Sequence, residues 1–590
     1  MWGGKTMRIF RHLEWFLKKE RKAYITGIIL LIFVAILELI PPKVIGITVD
    51  LIEQGELTRK VLTKWILILL IIAIVLYICR FFWRSLIFGA SLRLARHFRN
   101  ELYKQYTVMS PSFYQRYKTG DLMAHATNDI QAVQQTVGVG ILTLVDSLAL
   151  GGFVLLTMAI TINWKLTLIC LIPMPFLAFA TNFYSSLIHK RFAIAQEAFS
   201  TLNDKVLESI NGIKVLKSIG QEDEDCDHFN EKSEGVVQKN LSVARIDALY
   251  DPTIYFVVSI SLILAIGFGS AYVNKGEMTI GELISFTTYL GYLIWPMLAF
   301  GWLFNIVERG RASYDRIQSI LSEVSEINLN EHITTSIEYG ELIININEFS
   351  HPNYNSFSLN NINISIENGS TLGIAGRTGS GKTTLIKLIL RHFKLESGFI
   401  TINGININKF NLNSFRKSLS YVPQDNFLFS ASIFENIAFA KPDASKEEVE
   451  RVAKIANIHD DILEFENGYN TLIGERGVSL SGGQKQRISI ARALLLDANL
   501  LLLDDCLSAV DARTEEKILN SLKNERRGKT TIIVSHRMSA IQHADEIVVL
   551  DYGKLIEKGN HTSLMSKNSW YKNMFEKQQL EIMTESGDYL

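Results

Sequence analysis

Long apolar runs alternate with polar stretches over the first half of the chain. Six runs are long enough to cross a bilayer as helices, and they cover roughly residues 23–48, 65–88, 138–163, 166–187, 254–273 and 280–305. The connections 49–64, 164–165 and 274–279 are short, whereas 89–137 and 188–253 are long, polar and patterned as helices. This rhythm predicts six spanning helices with two long helical extensions on one side of the membrane.

Basic residues indicate which side that is. They concentrate in the amino-terminal tail, in the first long connection (Arg93, Arg96, Arg99, Arg116, Lys118) and after the sixth run (Arg309, Arg311). Since cytoplasmic loops carry the excess of Lys and Arg, we expect these regions and both chain ends to lie inside the cell. No small-residue cleavage site follows the first run, which favours a retained anchor over a signal peptide.

From Leu342 onward, short β-type segments alternate with helical ones, as in an α/β domain. Residues 309–340 are charged and rich in asparagine. The pattern therefore predicts a helical membrane domain over residues 1–320, a linker over 321–340 and an α/β domain over 341–590.

Composition agrees with a multidomain membrane protein. The chain has 590 residues, of which 48% are hydrophobic, so one domain is too few. Lys and Arg total 60, equal to Asp and Glu, and this balance argues against nucleic acid as a partner. The cysteines Cys79, Cys170, Cys226 and Cys506 lack metal-ligand spacing, and free thiols are expected.

A phosphate-binding loop lies between a predicted strand, Leu372–Ala375, and a predicted helix. Its glycines let the backbone close around a phosphate, Lys382 brings positive charge to the β and γ oxygens, and the Thr383 hydroxyl is placed for Mg²⁺. The predicted nucleotide contacts from this loop are Gly376, Arg377, Thr378, Gly379, Ser380, Gly381, Lys382, Thr383 and Thr384.

A second phosphate-related stretch runs from Leu480 to Asp511. Ser481, Gly482, Gly483 and Gln484 precede an apolar-periodic helix, so backbone N–H groups and the positive helix end can face an anion. The apolar run Leu500–Leu503 then predicts a buried strand that ends on Asp504 and Asp505, where carboxylates can hold Mg²⁺ and handle water.

In this order, the motifs resemble the nucleotide-binding domain of ABC transporters. The resemblance covers the phosphate loop, Gln424 (Q-loop), Ser481 to Gln484 (signature), Asp504 (Walker B), Ser508 to Asp511 (D-loop) and His536 (switch histidine). It implies ATP and Mg²⁺ as ligands, with Thr383, Gln424 and Asp504 around the metal and with Asp505, Gln424 and His536 in hydrolysis. It also implies the fold class, a six-helix all-α transmembrane domain of the type IV exporter kind followed by an α/β P-loop ABC domain.

Asp505 departs from the family pattern, in which Glu directly follows the Walker B Asp and positions the attacking water. Asp is one methylene shorter, and a general base needs roughly 2.6–3.2 Å between heavy atoms. We therefore expect ATP binding with slow hydrolysis at this site, unless a small backbone shift restores the reach. Exporters built as heterodimers commonly pair such a chain with one that carries the Glu, and the resemblance implies a partner of that kind.

His351 stands before Pro352, where the family usually has an aromatic residue stacked on adenine. An imidazole can stack on a base, but a His before Pro is also a common turn residue, and both interpretations stay open. Two further segments, Ser110–Asp129 and Ile210–Glu222, resemble the coupling segments that exporters place against nucleotide-binding domains.

Four ionisable residues fall inside the apolar runs, namely Glu38, Arg80, Arg84 and Asp146. Each is costly in lipid unless it faces a partner or a water-filled cavity, although the two arginines could instead reach the membrane interface.

The functional hypothesis is one half of a heterodimeric exporter that moves hydrophobic drugs across the cytoplasmic membrane. A lipid flippase and a peptide or bacteriocin exporter are the alternatives. A flippase would be expected to carry large basic patches near the membrane, and a peptide exporter commonly begins with a protease domain. Neither feature is evident in the sequence.

Overall fold

The computed structural model of the chain describes residues 8–325, 337–351, 358–474 and 480–586. It divides into two compact units, Met1–Thr107 with Thr119–Glu323, and Val108–Lys118 with Val324–Leu590. Most of the predicted linker, at residues 326–336, lies outside the described residues.

The amino-terminal half of the chain is built from helices. They are α1 Arg8–His12, α2 Glu14–Lys19, α3 Arg21–Leu37, α4 Ile40–Glu53, α5 Arg59–Val108, α6 Pro111–Arg116, α7 Thr119–Ala124, α8 Ile130–Gln135, α9 Ile141–Thr157, α10 Trp164–Leu171, α11 Met174–Asn211, α12 Ile213–Ile219, α13 Glu222–Asp247, α14 Tyr250–Asn274, α15 Ile280–Tyr292 and α16 Ile294–Leu321. Wider π-type turns at His125–Asp129, Thr136–Gly140 and Met158–Asn163 continue the helices around them. The short helices α6 and α12 fall within the two predicted coupling segments.

Among the described residues, five helical stretches are long and apolar enough to cross a membrane. They are Arg21–Glu53, Arg59–Val108, Thr119–Leu171, Glu222–Asn274 and Ile280–Leu321. Each of these five stretches contains one of the six predicted runs. The remaining run, 166–187, is not contained in any of them, because it is divided between α10 and α11 at Ile172 and Pro173. A proline cannot donate the backbone hydrogen bond that would continue the helix, and the pattern of apolar residues alone did not register this interruption.

Two other interruptions accompany prolines. Helix α3 stops before Glu38, and α4 restarts with Pro41 in its first turn, where the missing N–H costs nothing. The Tyr289 hydroxyl donates to the Leu39 carbonyl at 2.5 Å, so α15 is tied to the break between α3 and α4. Helix α16 likewise begins just before Pro296.

The second unit contains two sheets with helices around them. Its strands are β1 Leu342–Phe349, β2 Leu359–Ile366, β3 Thr371–Gly376, β4 Ser397–Ile402, β5 Ile405–Asn406, β6 Leu419–Val422, β7 Leu500–Asp504, β8 Thr530–Val534, β9 Glu546–Asp551 and β10 Lys554–Gly559. Its helices are α17 Lys382–Ile389, α18 Leu412–Lys417, α19 Ile433–Ala438, α20 Lys446–Ile455, α21 His459–Leu463, α22 Gly482–Leu495, α23 Ala512–Glu525, α24 His561–Met565 and α25 Trp570–Ser586, with 3-10 turns at Ile407–Lys409, Gly468–Asn470 and Met538–Ala540.

The larger sheet has the order β10-β9-β3-β8-β7-β6, and the smaller one β2-β1-β4-β5. Strands β3, β6, β7, β8 and β9 run parallel, whereas β10 and the smaller sheet are antiparallel. Along β7, Leu501 and Leu503 pack into one hydrophobic cluster while Leu500 and Leu502 pack into the other. The strand is therefore buried on both faces, as its unbroken run of leucines indicates.

Candidate nucleotide-binding site

Four parallel strands end at one edge of the larger sheet, and each is followed by a predicted functional segment. Strand β3 leads into the phosphate loop, β6 into Gln424, β7 into Asp505 and β8 into His536. Asp504 at the end of β7 lies opposite Val534 at the end of β8. In an open α/β sheet, ligands bind at the carboxyl ends of the strands, so the topology alone assembles these motifs.

A cavity of about 670 Å³ opens at this edge. From the predicted site it is lined by His351, Thr378, Gly379, Ser380, Gly381, Lys382, Thr383, Thr384, Gln424, Asp504, Asp505 and His536. Ser358, Val534, Tyr552 and Gly553 complete the lining. The sequence did not identify these four, although the Asp-Tyr-Gly turn between β9 and β10 is recognisable as a turn signal.

Glycine is required at two places in the phosphate loop. Gly379 and Gly381 have φ of +81° and +100°, a region that other residues rarely adopt. A Cβ on Gly381 would also lie 2.6 Å from the Leu359 side chain. The loop can therefore close only with glycine at these two positions. Since glycine has no side chain, the loop backbone itself lines the cavity.

Lys382 is 6% exposed and donates from Nζ to the carbonyls of Gly376 and Arg377, each at 2.8 Å. Gly376 and Arg377 thus position the lysine rather than line the cavity. Burial lowers the pKa of Lys382, and the charges of Asp505 and Asp504 oppose that shift. The buried Ser380 hydroxyl, which also lines the cavity, has no hydrogen-bond partner among the described residues. A bound phosphate would give the Lys382 ammonium an anion and the Ser380 hydroxyl a hydrogen-bond acceptor.

The oxygen pair expected to hold Mg²⁺ is already assembled. Thr383 Oγ1 donates to Asp504 Oδ1 at 3.1 Å, and the Tyr421 hydroxyl donates to the other carboxylate oxygen at 3.5 Å. Burial raises the pKa of the Asp504 carboxyl. No cluster of three or more His, Cys, Asp or Glu suited to a metal occurs in the described part of the chain. Mg²⁺ commonly uses one or two carboxylates together with substrate phosphates, so these residues fit it.

Asp505 has the left-handed backbone conformation, with φ of +47°. Its N–H donates to the Val534 carbonyl at 2.9 Å, and its Oδ1 accepts from the His536 N–H at 3.4 Å. Its short carboxylate is therefore directed at the backbone that follows β8. Burial lowers the pKa of His536, as does the charge of Lys382, which favours a neutral imidazole near pH 7.

The backbone around His536 is fixed by Gln578 of α25. The Gln578 amide donates to the His536 carbonyl at 2.8 Å and accepts from the Met538 N–H at 2.8 Å. No sequence motif indicated this residue, because it lies far along the chain in an ordinary helical pattern.

The signature residues form the start of α22 and lie away from the cavity. Ser481 and Gln484 form a reciprocal capping box at 3.2 and 3.1 Å, which explains the Ser-Gly-Gly-Gln order. Gln486, 5% exposed, donates to the Ser508 hydroxyl at 3.2 Å and accepts from the Ala509 N–H at 3.0 Å. The signature helix is thus joined to the D-loop, although the fold does not bring the signature to the phosphate loop of the same chain.

His351 does line the cavity, and its ring is held by several contacts. Nε2 lies 3.1 Å from the Thr384 hydroxyl, and the ring makes edge contacts with Phe349 and Phe393. Burial lowers its pKa. Tyr552 is 82% exposed at the same cavity, with φ of +43°. Two aromatic rings are therefore available for a base, and only one of them was expected.

Two family models match the chain, ABC transporter transmembrane region over residues 24–297 and ABC transporter over residues 359–508. Multidrug resistance-like ATP-binding protein MdlA of Escherichia coli (strain K12) is 47% identical over 98% of both chains. The chain belongs to the ABC transporter family. Probable multidrug resistance ABC transporter ATP-binding/permease protein YheI of Bacillus subtilis (strain 168) is 43% identical over 98% of this ABC transporter and 99% of its own length.

A solved bacterial Atm1-family ABC exporter with ATP bound shares the fold, with a TM-score of 0.77 at 23% identity over 95% of this chain and 98% of that one. The predicted fold class is confirmed, with an amino-terminal helical membrane domain followed by an ABC domain. As an ABC transporter, the chain is a multi-pass membrane protein that binds ATP and couples its hydrolysis to transport. The four cysteines are free, as expected.

Proposed function

We propose that this chain is one half of a heterodimeric exporter that moves hydrophobic drugs or xenobiotics across the cytoplasmic membrane at the cost of ATP. The observation that carries the export assignment is the near full-length similarity to two relatives, one named multidrug resistance-like and the other probable multidrug resistance. An apolar cavity with four ionisable residues in the first unit suits a hydrophobic small molecule. Lipid flipping is the alternative that the transport assay below must separate.

The heterodimer rests on Asp505. Its carboxylate is one methylene shorter than the Glu of the family and already accepts a hydrogen bond from the His536 backbone. In our proposal this site binds ATP through Lys382, Thr383 and the loop glycines but positions the attacking water poorly. Gln424 and His536, which line the same cavity, complete the site around the γ-phosphate.

Mg²⁺ would be held by Thr383 and Asp504 with Gln424 nearby, and it would neutralise phosphate charge. The chain's own residues orient the nucleotide. The signature residues Ser481 to Gln484 serve the ATP bound to the partner, which agrees with their distance from this chain's cavity lining. The partner then carries the competent Glu, and its signature covers the ATP held here.

The test is ATP turnover by the purified chain, alone and with a partner that has Glu after its Walker B Asp. We expect the chain alone to be slow and the pair to be fast, with ATP-dependent uptake of hydrophobic dyes into inverted vesicles containing both. Vigorous hydrolysis by the single chain, abolished by Lys382→Ala, would contradict an obligate heterodimer. Uptake of fluorescent lipid but of no dye would favour the flippase.

The proposed orientation has both chain ends in the cytoplasm. Single cysteines at Glu56 and Lys275 should react with an impermeant reagent added outside cells, whereas cysteines at Arg116 and Glu222 should react only after permeabilisation. The four native cysteines are replaced first. Opposite accessibility at any two positions would overturn this topology.

A further inference from the structure

A second cavity, of about 780 Å³, lies within the first unit among α3, α4, α5, α9, α15 and α16. Its lining is mainly apolar, with aromatic rings from Trp83, Tyr292, Trp295 and Trp302. All four intramembrane ionisable residues, Glu38, Arg80, Arg84 and Asp146, also line it. An apolar cleft with a few polar groups is typical of a small-molecule site.

Three of the four charges are accounted for by their surroundings. Arg80 forms an ion pair with Glu38. Arg84 is exposed, and its guanidinium lies 5.4 Å from the centre of the Trp83 ring. The face of an aromatic ring therefore stabilises Arg84.

Asp146 is different, because in the described part of the chain it has no ion-pair partner. It is half-buried and lines the cavity together with Trp295. Two charged side chains act on it, namely Glu38, which repels it, and Arg80, which is engaged with Glu38. A carboxylate in a membrane span is costly without a partner. Since no cationic side chain of the described residues pairs with Asp146, a cationic ligand would supply the missing partner.

The rings beside Asp146 are suited to the same kind of ligand. Trp295 and Trp302 are 52% and 50% exposed, so about half of each side chain is open. Tyr292 lies close enough to Glu38 and Arg80 to interact electrostatically with both. Aromatic faces attract cations as well as apolar groups, whereas an anion would meet the charge of Asp146.

We infer that Asp146 is the specificity-determining residue for lipophilic organic cations, whose charge it pairs while Tyr292, Trp295 and Trp302 surround their apolar part. This inference rests on the proposed export function and names the substrate class for it. Arg84, which has no ion-pair partner among the described residues, lies over the Trp83 ring instead.

The test compares two probes of the same shape and opposite charge, tetraphenylphosphonium and tetraphenylborate, binding to the full exporter in lipid nanodiscs. The unaltered protein should bind the cation at least about tenfold more tightly than the anion, after correction for partitioning into empty nanodiscs. Asp146→Asn, which keeps size and removes charge, should weaken the cation about tenfold and leave the anion unchanged. Asp146→Glu should restore most of the preference. Asp251→Asn, the same change at an exposed carboxylate outside the cavity lining, is the matched control and should leave cation binding unchanged.

Equal binding of both probes by the unaltered protein overturns the inference, and so does unchanged cation binding in a folded Asp146→Asn variant. Because the first of these outcomes needs no variant, misfolding of Asp146→Asn does not prevent a decision. The export function is tested separately by ATP-dependent uptake of a neutral hydrophobic dye into vesicles. Dye uptake without charge preference would leave export standing and remove the role of Asp146. Charge-selective binding without uptake of any probe would support the role of Asp146 and remove the export function.

Discussion

The two cavities are similar in size, about 670 and 780 Å³, but they are built in different ways. The nucleotide cavity is lined largely by one loop and by the ends of adjacent parallel strands. The membrane cavity takes single side chains from helices spread between Leu31 and Trp302. A phosphate group is the same in every turnover, so a fixed backbone can bind it, whereas a cavity for varied apolar ligands depends on scattered side chains.

Charge is handled differently as well. In the nucleotide cavity, Lys382 and Asp504 each have partners from the same unit before any ligand arrives. Among the described residues that line the membrane cavity, Glu38 and Arg80 are the one ion pair. The first site is organised in advance by the protein, and the second leaves Asp146 for the ligand to neutralise.

The largest effect that we predict separates the two ATP sites of the exporter. In the proposed heterodimer, Gly483→Asp places a carboxylate at the signature, beside the phosphates of the partner's ATP, and a Cβ here already lies 3.0 Å from the Ala509 carbonyl. Like-charge repulsion in a poorly solvated cleft should cost about 3 kcal/mol or more, which is about 100-fold in turnover. The measurement is steady-state ATPase activity of the reconstituted pair.

Asp505→Asn is the comparison for that experiment. It alters a carboxylate that we propose is already poorly placed, so turnover of the pair should fall about threefold or less, under 1 kcal/mol. If Asp505→Asn were as damaging as Gly483→Asp, the assignment of a degenerate and a competent site would have to be withdrawn.

The next effect concerns ATP affinity at this chain. Lys382→Ala removes a buried ammonium that the carbonyls of Gly376 and Arg377 hold in place at the cavity. A charge-assisted contact between this ammonium and ATP is worth about 2–3 kcal/mol, so its loss should weaken ATP binding about 30- to 100-fold. Fluorescent-nucleotide titration of the purified chain measures it. Lys394→Ala, an exposed lysine outside the cavity lining, is the control. A similar loss in both variants would show a general charge effect.

Much of the nucleotide site was predictable because its chemistry is contiguous. The residues from Gly376 to Thr384 follow one another, and Gln424, Asp505 and His536 each come after a strand, so the parallel sheet brings them together. Gln578 and Gln486 could not be predicted, since each acts through a single side-chain amide with no surrounding motif. Tyr552 was missed because its contact with the cavity depends on how β10 returns beside β9.

The membrane unit was predictable in outline only. Hydropathy located the apolar runs, but it did not predict that Pro173 divides one of them between α10 and α11. Hydropathy carries no information on the backbone N–H that proline lacks. Glu38, Arg80, Arg84 and Asp146 were identified as ionisable, and all four line the cavity. Which of them pair depends on the packing between α5 and the break after α3, which the sequence pattern does not specify.

A smaller effect should distinguish the two aromatic residues of the nucleotide cavity. Stacking of a base on an aromatic side chain is worth about 1–3 kcal/mol, and Tyr552 exposes far more ring than His351, which is held by Thr384, Phe349 and Phe393. Tyr552→Ala should weaken ATP binding about fivefold or more, near 1 kcal/mol. His351→Ala should change it less, and Tyr552→Phe should be neutral. Equal losses in the two alanine variants would mean that the base is held between both rings.

The smallest effect tests whether the membrane cavity has any internal order before a ligand binds. The Glu38 side chain is 19% exposed and that of Arg80 53%, so their pair is partly screened. A double-mutant cycle with Glu38→Gln and Arg80→Gln should give a coupling energy of about 1 kcal/mol in thermal or denaturant unfolding. The exposed pair of Lys18 and Glu14, at 74% and 56%, is the control and should give a smaller coupling energy, because solvent screens it more. ATP affinity should not change in any of these variants. A coupling energy as small as that of the control would mean that the pair does not hold α5 to the break after α3, and the charge environment that leaves Asp146 unpaired would then need another cause.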